Sequence, residues 1–67
     1  MENLTLEQIN ELIYLAGKPD VVAESAKFIQ INASNEAQYT VKIGDVEDHV
    51  FIKQDNSGNL HAMLDGI

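Results

Sequence analysis

The sequence contains no cysteine and no arginine, and it has only one proline in 67 residues. Without cysteine, the chain can form no disulfide, no thiolate zinc site and no cysteine nucleophile. The absence of cysteine also fits a reducing compartment. The first residues, Met1 to Leu4, bring no basic region and no long apolar run, so the sequence predicts neither a signal peptide nor a transmembrane segment. We therefore expect a cytoplasmic protein that has no membrane partner.

Positive charge is also scarce. Eleven acidic residues face four lysines, which gives a formal net charge of -7. Such a surface repels the phosphates of nucleic acids and anionic lipids, so we expect no direct nucleic-acid partner. Solubility alone explains an acidic surface of this size. The sharper hypothesis is that the acids imitate phosphates and occupy the basic groove of a nucleic-acid-binding protein.

The length predicts a single domain over residues 1–67. A domain of this size buries only about 60% of the surface that its unfolded chain exposes. The hydrophobic fraction of 45% is nevertheless that of a globular protein, which argues against disorder.

One helix is well signalled near the N-terminus. Thr5 and Gln8 have the spacing of a capping box, apolar residues follow at helical spacing, and Gly17 and Pro19 end the pattern. The sequence therefore predicts an amphipathic helix from about Leu6 to Ala16. On its other face, Glu7 and Glu11 stand four residues apart and therefore lie one above the other. This face is either a solvated surface or a binding face.

The stretch from Val21 to Ala33 fits both a helix face and a strand. Its β-branched residues and the following Asn32–Asn35 turn signal favour a strand, at least from Lys27 onward. The alternation predicts that Phe28 lies on the opposite side of this strand from Ile29 and Ile31. A slip in the apolar phase indicates a bulge or a short helical turn near Ser25.

The rest of the chain alternates with a period of two residues, which is typical of an antiparallel meander. A tight Gly44-Asp45 turn would place Asp48 on the apolar face, opposite Val41. A four-residue loop over 44–47 would instead group Asp45, Glu47 and Asp48 at the hairpin tip, and we favour this loop. It pairs Val41 with Val50 and Tyr39 with Ile52.

The next loop, 54–58, suits a type I turn with Gly58 in the left-handed conformation. The expected pairs across it are Ile52 with Leu60 and Val50 with Ala62. The predicted fold is α+β, with one amphipathic N-terminal helix packed on a three- to four-stranded antiparallel meander.

Motifs for catalysis and metal binding are weak. Asp55 to Asn59 resembles the start of a calcium loop, but the glycine and glutamate that a full loop requires are missing, so a turn is the better interpretation. His49 and His61 on neighbouring strands make an incomplete metal site. No histidine is placed to activate a serine. We therefore expect no enzyme activity, no cofactor and no metal.

Phe51, His61 and Met63 are expected on the outer face of the sheet, together with Thr40 and Lys42. An exposed phenylalanine and methionine there indicate a partner surface, a homodimer seam or the site of a second helix. The alternative is that they are scattered surface apolar residues.

Two stretches resemble the small phage-encoded inhibitors of uracil-DNA glycosylase. The first has Asn3-Leu4, an acidic helix, Gly17-Lys18, an apolar pair and Glu24-Ser25, and the second runs from Phe51 to Asn59. This chain differs at Ala23, where the family has Gln, and it lacks a clear second acidic helix. The resemblance implies that Glu24 replaces a DNA phosphate on an exposed strand edge, with Ser25 as its neighbour. The meander is also loosely similar to small peptidase-inhibitory modules.

Two functions follow as hypotheses. In the first, the protein is a DNA-mimicking inhibitor that blocks the basic groove of an enzyme, with uracil-DNA glycosylase as a candidate. Its acids would be Glu24, Asp45, Glu47 and Asp48, with Ser25 beside them and Glu7 and Glu11 as further candidates. In the second, the protein is an interaction or structural module, and its acidity only keeps it soluble.

Overall fold

The computed structural model describes residues 1–66. One helix, α1, precedes four strands. Their bounds are α1 (Leu6–Leu15), β1 (Ser25–Ile31), β2 (Ala37–Ile43), β3 (Val46–Gln54) and β4 (Leu60–Leu64). The strands form one antiparallel sheet in the order β1-β2-β3-β4. This arrangement confirms the predicted α+β fold, with four strands in the meander.

The ends of α1 match the sequence prediction. The Thr5 hydroxyl accepts from the Gln8 N–H at 3.1 Å, and the Gln8 side chain accepts from the Thr5 N–H at 2.8 Å, which completes the capping box. At the other end, Gly17 has a φ of 89°. The N–H of Lys18 then reaches the C=O of Ile13 at 3.3 Å. A left-handed glycine at this position is a common way to end a helix.

The core lies between α1 and one face of the sheet. Its largest fully buried side chains are Ile9 and Ile13 of α1 and Val41, Val50 and Ile52 of the sheet. Side chains alternate along a strand, so every second residue points to the opposite face of the sheet. Among residues 1–66, no helix covers that face. We call this opposite side the outer face.

The register between β2 and β3 differs from the prediction. Ile43 pairs with Val46, so the turn contains only Gly44 and Asp45, and Val41 pairs with Asp48. Our preferred pairing of Val41 with Val50 is therefore wrong, and the tighter alternative is correct. The two registers differ by two residues, so the apolar residues Val41 and Val50 stay on the face where the pattern placed them, whereas Asp48 moves from the expected hairpin tip to the covered face.

The β3–β4 register is also shifted by two residues on β4. Ile52 pairs with Ala62 and Val50 with Leu64, so the predicted pairs of Ile52 with Leu60 and Val50 with Ala62 are wrong. The connecting loop is nevertheless a tight turn in which Gly58 has a φ of 87°.

β1 begins two residues before the predicted start. Its pairing with β2 is interrupted between Phe28 and Gln30, not near Ser25. Ile29 is the extra residue at this interruption and has no partner on β2. Phe28 points towards the core, where its ring meets that of Tyr39 edge-on with centroids 5.5 Å apart. The prediction that Phe28 and Ile31 lie on opposite sides is therefore wrong, because an extra residue in a strand reverses the alternation beyond it.

Candidate partner-binding surface

Three of the predicted acids lie at the same end of the sheet. Asp45 lies in the β2–β3 turn and Glu47 is the second residue of β3. Glu24 immediately precedes β1, whose first residue, Ser25, pairs with Lys42 at the same end. All three acids are exposed. We call Glu24, Asp45 and Glu47 the acidic end of the sheet.

The backbone around Glu24 is fixed on both sides. The N–H of Glu24 donates to the C=O of Lys42 at 2.7 Å. The preceding residue, Ala23, is buried and is bound by the side-chain amide of Asn10, which accepts from the Ala23 N–H at 2.7 Å and donates to the Ala23 C=O at 3.0 Å. Glu24 is therefore an exposed side chain on an ordered backbone that tethers α1 to the edge of the sheet.

Lys42 interrupts the acidic end. It is exposed on the outer face and pairs with Ser25 on one side and with Glu47 on the other. Opposite charges on directly paired residues attract each other modestly in an antiparallel sheet. The acids therefore surround a cation and do not form an unbroken acidic stripe.

Asp48 is not part of this exposed surface. Its side chain points to the covered face of the sheet, where the residue is only 8% exposed. One carboxylate oxygen accepts from the N–H of Gly66 at 3.1 Å. The two-residue turn is the cause of this placement, because it moves Asp48 from the expected hairpin tip to a position opposite Val41.

Glu7 and Glu11 stay on the exposed surface of α1. Glu11 lies beside a groove whose other wall includes Leu60 and His61 at the start of β4. The start of β4 pairs with the end of β3, which is far from the Gly44-Asp45 turn. The structure therefore does not bring Glu11 to the acidic end.

The two histidines are also apart. His49 pairs with Thr40, whereas His61 pairs with Lys53, and the Phe51–Met63 pair lies between them. Within residues 1–66, no group of three histidine, cysteine or carboxylate side chains is arranged to hold a metal ion.

His61 instead contacts Asp55 in the β3–β4 loop. Its Nε2 lies 2.8 Å from one carboxylate oxygen of Asp55, and the other oxygen accepts from the N–H groups of Ser57 and Asn59, each at 2.9 Å. The contact with His61, followed by the hydrogen bond from Asn59, lowers the pKa of Asp55. This carboxylate organises the loop and is not a free acid available to a partner.

Sequence reasoning missed two contributors to this surface. Asn10 was given no role, although a polar residue between Ile9 and Ile13 signals a position at the border of the apolar stripe. Asp65 was also missed, and its N–H donates to the C=O of His49 at 3.0 Å. The correct β3–β4 register would have placed this exposed acid two strand positions from Glu47.

Comparison of the chain with protein-family models, with curated proteins and with solved structures finds no match in any of the three. The likeness to glycosylase inhibitors therefore stays a prediction from the residues quoted above. No helix within residues 1–66 has the length and apolar content needed to cross a membrane.

Proposed function

We propose that the protein is a non-enzymatic inhibitor that binds the basic groove of a DNA-binding enzyme through the acidic end of its sheet. The observation that supports this proposal is that Glu24, from the segment before β1, and Asp45 and Glu47, from the β2–β3 hairpin, are all exposed at one end of the sheet. Acids held in place in this way steer a cationic partner and attract it most strongly at low salt.

Glu24 is the central residue of the proposed interface. Its backbone is held by the hydrogen bond to Lys42 and by the anchored Ala23, so little backbone entropy is lost when its carboxylate meets a partner. Ser25, the first residue of an edge strand, offers a hydroxyl beside it. By resemblance, uracil-DNA glycosylase is the first enzyme to test.

A second function has its own supporting observation. Lys42 lies among the acids, and Lys27 and Lys53 share the outer face with it. This mixed charge favours a protein-interaction module whose partner is not a DNA-binding groove. Such a module would bind its partner without competing with nucleic acid.

Inhibition of uracil excision distinguishes the two functions. We expect the protein to inhibit purified uracil-DNA glycosylase, to be displaced by duplex DNA, and to bind less tightly as salt is added. Glu24→Ala should weaken binding by about 2–5 kcal/mol if the charge pair is desolvated in the complex. Glu2→Ala is the matched control and should have little effect, because it removes an exposed acid near the N-terminus that is distant in sequence from Glu24.

Two outcomes of the same assay would contradict the proposed function. Binding that is insensitive to competing DNA would favour the interaction module. If Glu24→Ala and Glu2→Ala weaken inhibition equally, total charge and not the acidic end determines binding.

A further inference from the structure

β4 is an edge strand, and the backbone groups of its alternate residues have no hydrogen-bond partner within residues 1–66. The Asp65 N–H donates to His49 on β3, and the Asn59 C=O accepts from Asp55 at the other end of the hairpin. In an antiparallel ladder, hydrogen-bonded pairs alternate with pairs whose N–H and C=O groups point away. Odd-numbered residues of β4 therefore bond to β3, and Leu60, Ala62 and Leu64 direct their backbone groups to the side of the strand that faces away from β3, where Ala62 as a whole is 8% exposed.

The two edges of the sheet differ in regularity. β1, at one edge, loses its register between Phe28 and Gln30, and such bulges discourage the addition of another strand. β4, at the other edge, pairs with β3 residue for residue from Leu60 to Leu64. The β4 edge is thus the better template for an incoming strand.

A groove of about 510 Å³ lies between α1 and the start of β4. Four leucines supply its apolar surface, and four polar residues share the lining. The leucines are Leu4, Leu12, Leu15 and Leu60, and the polar residues include Glu11 and His61. Leu15 is 69% exposed, although burial of a leucine side chain is favourable by about 1.5–3 kcal/mol.

The negative charge of the groove indicates which kind of molecule can bind there. Glu11 lines the groove, Glu7 lies one helical turn away on the same face of α1, and no lysine lines the groove. A second copy of this chain would bring the same acids together and add its own net charge of -7. A cationic segment is instead complementary to the groove.

We propose that the β4 edge and the adjacent groove bind an extended peptide segment that adds to the sheet as a fifth strand. On one face of this segment, an aliphatic side chain enters the leucine-lined groove, and lysine or arginine side chains two residues away reach towards Glu11. Strand addition of this kind draws affinity from the backbone and specificity from alternate side chains. The site is separate from the acidic end and does not depend on the proposed inhibitory function.

Amide hydrogen exchange tests this proposal with a defined probe, the blocked peptide acetyl-Thr-Lys-Thr-Leu-Thr-Lys-Thr-amide. In the free protein, the amides of Leu60, Ala62 and Leu64 should exchange faster than those of His61 and Met63. With the peptide at about ten times its dissociation constant, exchange at the three even-numbered positions should slow about tenfold. The amides of His61 and Met63 should change little.

Matched variants locate the binding site. Leu15→Lys and Glu11→Lys should each weaken peptide binding at least about tenfold, because they place a cation beside the cationic peptide. Tyr14→Lys is the control, since Tyr14 is 63% exposed on α1 but does not line the groove. Glu24→Ala should bind the peptide as the wild type does, which separates this site from the acidic end.

Three results would overturn the proposal. One is peptide binding that leaves exchange at Leu60, Ala62 and Leu64 unchanged. Another is equal binding of a peptide in which glutamate replaces both lysines. The third is protection of the same amides at high protein concentration without peptide, which would identify a second copy of the chain as the occupant.

Discussion

The side chain of Asn10 forms two hydrogen bonds with the backbone of Ala23, one as acceptor and one as donor. Ala23 lies outside the sheet, and the Asn10 amide supplies the backbone hydrogen bonds that a neighbouring strand would otherwise provide. The contact ties the middle of α1 to the segment that leads into β1 and so fixes the chain direction immediately before Glu24.

Replacement of Asn10 should therefore cost more than a surface substitution. Asn10→Ala leaves the N–H and C=O of a residue that is only 2% exposed without partners, and we expect the free energy of unfolding to fall by about 1–3 kcal/mol. Urea denaturation measures the loss. Asn3→Ala, at an exposed position, should change stability by less than about 0.5 kcal/mol, and an equal loss in both variants would contradict the role of the amide.

The two-residue turn makes Gly44 sensitive to substitution. Its φ is 62°, and within residues 1–66 an added Cβ would meet no atom within 4 Å apart from those of its two chain neighbours. The cost of Gly44→Ala is thus conformational, and we expect a loss of about 1–3 kcal/mol in the free energy of unfolding. Asp45→Ala, at the next residue, has no positive φ to maintain and should be nearly neutral. A neutral Gly44→Ala would support the longer loop that the sequence had favoured.

Glu47 and Asp48 are neighbours with opposite surroundings, and their alanine variants should behave differently. Asp48→Ala removes the acceptor for the Gly66 N–H and should reduce stability by about 0.5–1.5 kcal/mol. Glu47→Ala should leave the thermal melt nearly unchanged and slow association with a cationic partner. Paired melts and stopped-flow binding measure both effects. A large stability loss from Glu47→Ala would show that its carboxylate is structural.

The lowered pKa of Asp55 predicts an acid-sensitive loop. A carboxyl whose pKa is lower when folded contributes stability above its unfolded pKa of about 3.9, and the contribution disappears as the pH falls through the folded value. His61→Ala removes the largest cause of the shift, so the pKa of Asp55 should rise towards its ordinary value. Carbon-13 NMR titration of the carboxyl measures this change. Ser57→Ala keeps the backbone N–H that bonds to Asp55 and should leave the pKa unaltered.

The predictability of the fold depended on which interactions are local. The capping box and apolar stripe of α1 lie within about ten neighbouring residues, so they predicted both ends of the helix to within one residue. The alternation of the strands placed Tyr39, Val41, Val50 and Ile52 correctly on the covered face. It could not select the register, because a shift of two residues leaves these side chains on the same face of the sheet.

The candidate site was harder to predict, because its decisive contacts join distant segments. The sequence pattern disfavoured Asp48 on an apolar face, yet the Gly66 N–H supplies a partner for its carboxylate. Asn10 and Ala23 are 13 positions apart, and no local rule links a helical asparagine to a loop backbone. The position of Lys42 among the acids likewise follows only from the correct strand pairing.

The packing of α1 against β4 has a consequence for the order of folding. Each strand pairs with the strand next to it in sequence, but α1 packs mainly against β4, at the other end of the chain. Hairpins close short loops, and contacts between distant segments form more slowly because they close longer ones. We expect the β2–β3 hairpin to form before the transition state and the helix to dock after it. Gly44→Ala should then slow refolding, whereas Leu12→Ala in α1 should mainly accelerate unfolding.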